Sequence, residues 1–399
     1  MLNLEGLNVT KVENTKTNTF ITASAPYSFS RCPHCQKRTK RIHQWRERKV
    51  KHGWFQEKPI TLILRVRRFK CKRKECNATF TEKIGGIDSK HHSKNCRKQA
   101  VKKLKTSSFK STGDSLKTSP STLSRWLVDI MDNIDLQWPQ RGDIYLGLDA
   151  HSFKKRELVT TVTELKRRRT IAVLPDNKQE TVINFLNSQP LSVRKRIVVV
   201  CIDMDAGLRG AVRKSLPNAT IVIDKFHVLN YTERVLNEVR KIIQTRNDKR
   251  YGAIPLELMR TPYDMLTGGE KEKLREIFKR YEAFPSLYAT WLLKEKVRKL
   301  YSCNSYKEAK MLYHNILLIS EDERVGSVRD LRKTLVRWQP YILNYFKYRV
   351  TNAYTEGVHT PFKLTKRISF GFKNVKNYIA KIMLRITPLY IVLMHSGLL

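Results

Sequence analysis

The chain has 399 residues and a formal net charge of +42, from 78 Lys and Arg against 36 Asp and Glu. That length supports two or three domains with a sizeable core, and that charge calls for a polyanionic partner, nucleic acid first. A small ribosomal protein does not fit a chain of this size. No apolar run reaches a membrane span, the N-terminus has no signal-peptide core, and seven Cys in so long a chain are too few for a disulfide scaffold, so a reducing, intracellular setting without a membrane is expected.

Residues 1–30 are weakly patterned and read as short strands. Cys32-Pro-His-Cys35 and Cys71…Cys76 then form two close pairs. Each pair presents two thiolates from a tight turn, which suits one tetrahedral, structural Zn²⁺. Four thiolates complete that shell without His34, His43 or His52; Cys96, Cys201 and Cys303 are isolated and read as structural. Between the pairs, Ile60 to Phe69 alternates apolar and basic residues like a strand. Residues 31–110 hold 26 Lys and Arg against 5 Asp and Glu. Half of the net charge thus lies in a fifth of the chain, and Arg67, Arg68, Lys72 and Lys74 are expected to meet phosphates in a salt-dependent way. The zinc module is taken as residues 1–90.

Residues 91–137 carry a helix-turn-helix candidate. Lys98 to Leu104 reads as a helix, Ser107 to Lys117 as a second one interrupted near Gly113. Ser119-Pro120 is an N-cap with Pro at the first helical position. The helix Pro120 to Asp132 keeps Leu123, Trp126, Leu127, Ile130 and Met131 on one face, which leaves Ser121, Thr122 and Arg125 near its start to face a major groove.

The central region, residues 143–228, reads strand by strand. Asp143 to Asp149 alternates and ends on an acid. Leu158 to Leu165 and Thr170 to Leu174 are two more strands, and a helix begins at Thr181. Ile197 to Ile202 is a short β-branched run, buried on both faces and closed by Asp203. A helix from Ala206, a Pro217-Asn218 turn and the strand Ala219 to Ile223 follow, ending in Asp224-x-x-His227. Acids at the carboxyl ends of buried strands are costly unless paired, and a bound cation offsets that cost. The order β-β-β-α-β-α-β matches a ribonuclease-H-like mixed sheet, in which the first and fourth strands are parallel neighbours and Asp149 would face Asp203. Residues 229–348 read as an all-helical insertion with Trp291 and Trp338 in its core. Residues 349–399 are expected to return to the sheet domain. Glu356 and Lys363, seven apart, share a helical face unless Pro361 delays or bends that helix.

These motifs resemble the bacterial ISL3 family of insertion-sequence transposases. The resemblance is carried by Cys32-Pro-x-Cys35 with Cys71…Cys76, Leu146-Gly-Leu-Asp149, Ile202-Asp203-Met204, Pro217-Asn-Ala-Thr-Ile-Val-Ile-Asp224-Lys-Phe-His227, Thr351-Asn-Ala-x-Thr-Glu356-Gly and Lys366-Arg367-Ile-Ser-Phe-Gly-Phe372. It implies a nucleoid-associated DNA transposase that cuts and joins double-stranded DNA at element ends and target, working as a homodimer or higher assembly. It also implies an Asp149, Asp203, Glu356 trio on Mg²⁺ or Mn²⁺, with Asp224, His227 and Lys363 as accessory residues. Two positions depart from the family pattern: Ala150 stands where Glu is common, and Asp205 where an aromatic is common. Asp205 lies on the same side of an extended strand as Asp203 and is the other candidate for the second carboxylate, although it also suits the N-cap of the next helix. Two further functions remain compatible with the sequence: a transposase-derived DNA-binding protein without catalysis, and a metal-dependent nuclease that does not rejoin strands.

Overall fold

Alternating and continuous apolar runs set out two sheets, and the computed structural model places them in two compact units. The structure describes residues 4, 6–56, 58–87, 91–134, 138–320 and 325–399, with the side chains of 246–251 left aside. One unit comprises Met1–Asp135 with Thr360–Leu399, the other Leu136–His359.

In the first unit the strand Lys58–Lys70 is central. It lies parallel to Thr19–Ser24 and antiparallel to Ile42–Phe55 and Thr79–Thr81, and Asn8–Asn14 extends the Thr19–Ser24 edge. Its alternation buries Ile60, Leu62, Leu64 and Val66 against Ile21, Ala23 and Val50. The basic side of this strand corrects one expectation. Arg67 is buried, and its guanidinium grips Glu82 through Nε and Nη2, with Nη2 2.7 Å from Oε2, while Glu82 Oε1 also accepts the Arg67 amide. Arg67 therefore neutralises a buried carboxylate and has no face left for phosphate. Arg68 stays half-buried, and Lys72 and Lys74 are exposed.

Three helices follow: Lys94–Leu104, Phe109–Leu116 and Pro120–Asp132. Ser93, Ser108 and Ser119 cap them, each hydroxyl accepting a backbone N–H of the first turn. The middle helix runs unbroken through Gly113. A Cβ there would lie 2.5 Å from the Thr118 carbonyl oxygen, so Gly113 serves close packing and does not break the helix. Residues 360–399 were expected with the sheet domain of residues 143–228, but they pack here. Ala380, Leu384, Val392 and Leu393 share a core with Leu123, Leu127 and Ile130. Buried Lys381 donates to the Leu104 and Ser107 carbonyls at the end of the first helix. The helices Val375–Ile386 and Leu389–His395 are sharply bent relative to each other, and among the described residues no single helix is long and apolar enough to cross a membrane.

The second unit is built on a five-stranded sheet in the order Arg169–Leu174, Glu157–Glu164, Ile144–Lys154, Ile197–Ile202, Thr220–Ile223. The first two pairings are antiparallel and the last two parallel. The strand through Asp149 does not stop there but continues to Lys154, because Asp149 pairs with Thr161 and His151 with Val159 on the neighbouring strand. In the parallel part, Gly147 pairs with Cys201, and Cys201 with Val222. Two residues on, Asp149, Asp203 and Asp224 stand in one row across three strands, on one face by the two-residue period. Helices then run from Lys225–Tyr251 to Gly326–Leu343, with buried Trp291 and Trp338 in the core that they share with the sheet. The chain returns at Asn352, where the helix Ala353–Ile368 begins and runs on through Pro361.

Asn352 is fully buried and ties three strand ends together. Its Nδ2 donates to the carbonyl of Leu148 (3.2 Å) and to that of Cys201 (3.5 Å), and its backbone N–H donates to Asp224 Oδ1 (3.3 Å). One turn later, Thr355 and Thr163 hydroxyls meet at 2.7 Å. Gly147 makes this approach possible: a Cβ there would lie 2.6 Å from both Asn352 Oδ1 and Thr163 Oγ1. Gly147→Ala is therefore expected to destabilise the protein by about 1–3 kcal/mol, as overpacking does; urea unfolding of the purified variant measures it, and an unchanged midpoint would contradict the close-approach account.

Candidate active site and metal centre

The four module cysteines sit in two turns of like construction. Each pair is followed by a residue of left-handed backbone, Gln36 after Cys35 and Asn77 after Cys76, which curls the turn so that both sulphurs face inward. The sulphurs interleave: Cys32 Sγ is 3.7 Å from Cys76 Sγ, and Cys35 Sγ 3.5 Å from Cys71 Sγ, with all four within 4.8 Å of one another. A Zn–S bond of about 2.3 Å gives a tetrahedral S–S edge of about 3.8 Å, so the donor set and spacing fit one zinc ion.

In the second unit the row of acids meets a histidine and a glutamate. His227, in the first turn of the helix Lys225–Tyr251, places Nε2 2.8 Å from Asp203 Oδ1. Asp149, Asp203 and His227 offer ligand atoms within 4.8 Å of one another, and so do Asp224, His227 and Glu356; His227 belongs to both groups. Glu356 comes from the helix anchored by Asn352, four residues along, and its backbone N–H donates to the Asn352 carbonyl. Asp205 stands apart in role: its Oδ1 accepts the Leu208 amide at 2.7 Å and caps the helix Ala206–Ser215. Lys363 is exposed and falls in the other unit.

Sequence reasoning overlooked part of this cluster. His359 Nδ1 lies 3.5 Å from Asp149 Oδ2, its Nε2 3.0 Å from Thr161 Oγ1, and its ring 4.4 Å from that of His151. Asn352 was also overlooked. The signal was present in Asn352, Thr355, Glu356 and His359, a polar stripe at helical spacing beside a buried sheet.

Crowding of the acids sets their electrostatics. Burial first, then the charge of Asp203, pushes Asp149 up to about 7. Burial likewise pushes Asp224 up to about 6, against the hydrogen bond from the Asn352 amide. Burial works to lower His227, but the hydrogen bond and charge of Asp203, with the charges of Asp149 and Asp224, outweigh it and push His227 up to about 9. Asp224 Oδ2 is buried and lacks a hydrogen-bond partner among the described residues. An orphaned carboxylate oxygen amid three other carboxylates is the donor set of a hard divalent cation.

The expected DNA-contacting side chains of the first unit are Ser121 and Arg125, both exposed, and Thr122, half-buried. Thr122 is held in the cap itself, its amide and hydroxyl both bonded to Ser119 Oγ.

The span of residues 146–382, which contains Asp149, Asp203, Asp224, His227 and Glu356, matches the transposase family ISL3. The chain belongs to the ISL3 transposase family. Residues 28–76, which contain all four module cysteines, match the zinc-finger of transposase IS204/IS1001/IS1096/IS1165. The chain is similar to the transposase for insertion sequence element IS1001 of Bordetella parapertussis, which is 22% identical over 366 residues, covering 88% of this chain and 87% of its own length. The transposase for insertion sequence element IS1557 of Mycobacterium tuberculosis is 23% identical over 267 residues, covering 60% of this chain and 59% of its own. The two matched spans thus contain both clusters of ligand-type side chains.

Two outcomes are expected. Metal analysis of the purified protein should find one equivalent of zinc, lost in Cys71→Ser together with the folding of the module, since ligand loss leaves so small a unit without its main stabiliser. The acid row should make the metal-free protein less stable as pH rises. Asp149 and Asp224 keep protons in the folded state up to about pH 7 and 6, whereas the unfolded chain releases them near 3.8, so stability falls across that window. His227 acts in the same sense but higher up: its stabilising contribution is complete below about 6.5 and lost as pH passes about 9. Asp149→Asn is thus expected to raise the melting temperature in EDTA at pH 8 by several degrees, and to change it little at pH 4. Equal shifts at both pH values would contradict the charge account.

Proposed function

We propose that this protein is a DNA transposase that binds the ends of an insertion sequence and carries out metal-dependent strand cleavage and strand transfer, with Asp149, Asp203 and Glu356 as the catalytic carboxylates. The observation that carries the reading is the row of acids at the parallel strand ends, joined by Glu356 and by the orphaned oxygen of Asp224. The sheet order, with two parallel strands added beside a three-stranded antiparallel meander, supports the ribonuclease-H-like reading. Divalent ions such as Mg²⁺ or Mn²⁺, when bound, activate the attacking oxygen and stabilise the leaving one in phosphodiester chemistry. The protein's part is to hold the carboxylates where charge develops. Asp149 and Asp203 group with His227 on one side, and Asp224 and Glu356 group with it on the other. His227, held protonated by its acidic neighbours, lessens their repulsion and orients Asp203. Water is the nucleophile when the strand is cut, and a DNA 3′-hydroxyl when strands are joined; only the attacking oxygen changes.

DNA is engaged through the first unit in this reading. The three capped helices support a helix-turn-helix, with Ser121 and Arg125 at the exposed start of the third. Arg68, Lys72 and Lys74 on the zinc module supply phosphate contacts, and binding weakens steeply as salt rises. Assembly as a dimer or larger complex on paired element ends belongs to the same reading.

The test compares two neighbouring acids. Asp203→Asn is expected to lower Mg²⁺-dependent cleavage of labelled element ends by orders of magnitude while leaving DNA binding intact. Asp205→Asn removes only a helix cap worth about 1 kcal/mol and should cut nearly as the parent does. A dead Asp205→Asn beside an active Asp203→Asn would reassign the second carboxylate. Full activity in Asp149→Asn, Asp203→Asn and Glu356→Gln alike would leave DNA binding as the function.

A further inference from the structure

A cavity of about 580 Å³ opens beside the acid cluster. It is lined by Asp203, Met204, Asp205 and Thr334 and by His227, Asn230, Tyr231 and Arg234. The last four occupy positions i, i+3, i+4 and i+7 of the helix Lys225–Tyr251, which is one helical face. Asp203 and His227 have a place in the acid cluster; Asn230, Tyr231 and Arg234 have none there.

The chemistry of that wall is specific. The Arg234 guanidinium stands 4.8 Å from the centroid of the Tyr231 ring. A guanidinium stacked on a ring makes a flat platform with N–H donors along its edge. Asn230 is exposed and adds an amide with donors and an acceptor, and Met204 adds a polarisable apolar contact. Flat surface, phosphate-type donors and an amide together suit a nucleoside with its phosphate. From His227 to Arg234 the helix rises about 10 Å, and the volume is that of a small-ligand pocket. Asp203 is more exposed than Asp149 or Asp224, with 22% of its side chain accessible, and it lines this cavity. A phosphodiester brought to Asp203 therefore sets its neighbouring nucleoside against the platform, where a base fits only after leaving its stack.

We propose that this cavity binds the unstacked nucleoside next to the phosphodiester that is cut, with Tyr231 and Arg234 as its stacking platform and Asn230 at its rim. The proposal rests on the DNA-cleaving reading above and adds to it a nucleotide subsite.

The experiment uses the full chain and duplexes carrying the ends of its own element, with 2-aminopurine placed in turn at each terminal nucleotide and its flank. Fluorescence is read in Ca²⁺, and cleavage separately in Mg²⁺. The parent and Glu356→Gln are expected to brighten one position next to the cut. Arg234→Ala and Tyr231→Ala should lose that signal and cut roughly tenfold more slowly, with mobility-shift affinity little changed. Tyr231→Phe, which keeps the ring, should restore the brightening lost in Tyr231→Ala, which separates loss of the platform from a folding defect. If the parent cuts DNA but no position brightens, or if Arg234→Ala and Tyr231→Ala cut at the parental rate, the subsite is overturned and the cleavage reading survives. If the parent never cuts, the cleavage reading fails by itself; a signal that still depends on Tyr231 and Arg234 then supports the cavity as a nucleoside site, and its absence overturns it.

Discussion

The geometry of the acid cluster depends on one buried amide. Asn352 bonds the carbonyls of Leu148 and Cys201 and, through its backbone, the carboxylate of Asp224, so that one residue spans the first, fourth and fifth strands of the sheet. A buried amide left unbonded costs on the order of 1–3 kcal/mol per group, which makes a loose position for it unfavourable. The helix that begins there has its azimuth fixed further by Thr355 on Thr163 and by His359 on Thr161. Glu356 inherits its position from these anchors.

Against that anchoring stands the repulsion among the acids. Burial raises the proton affinity of these carboxylates, and their mutual repulsion adds to it. His227 sits between the two groups and carries positive charge, which makes the cluster tolerable without removing its appetite for cations. The same opposition appears in the first unit in another form. There Arg67 spends its charge on Glu82 inside the sheet, while Lys72 and Lys74 remain outside.

What could be read from the sequence was what local physics determines. The Cys pairs, the Ser119 cap with Pro120, the Asp205 cap and the β-branched run at Ile197 each state their structure within a few residues. Features set by distant partners were harder to read. Arg67 looks like any basic residue of an alternating strand, and its partner Glu82 lies fifteen positions away in sequence. Asp149 seemed to close its strand, since nothing nearby indicates that Thr161 and Val159 continue the ladder. Residues 360–399 follow directly on the Glu356 helix, yet Ala380 and Leu384 find their apolar partners in Leu123 and Leu127, more than two hundred residues upstream. Asn352 and His359, on either side of Glu356 in the same polar stripe, were local and still went without a role.

The hydrogen bond from the Asn352 amide to Asp224 also brings together the two ends of the helical segment between them. That segment leaves the sheet and rejoins it at a single point. The spacing of the acids therefore does not depend on the length of the connections between those helices: such a connection can lengthen at a loop-closure cost that grows only logarithmically, while the row at the strand ends stays in register.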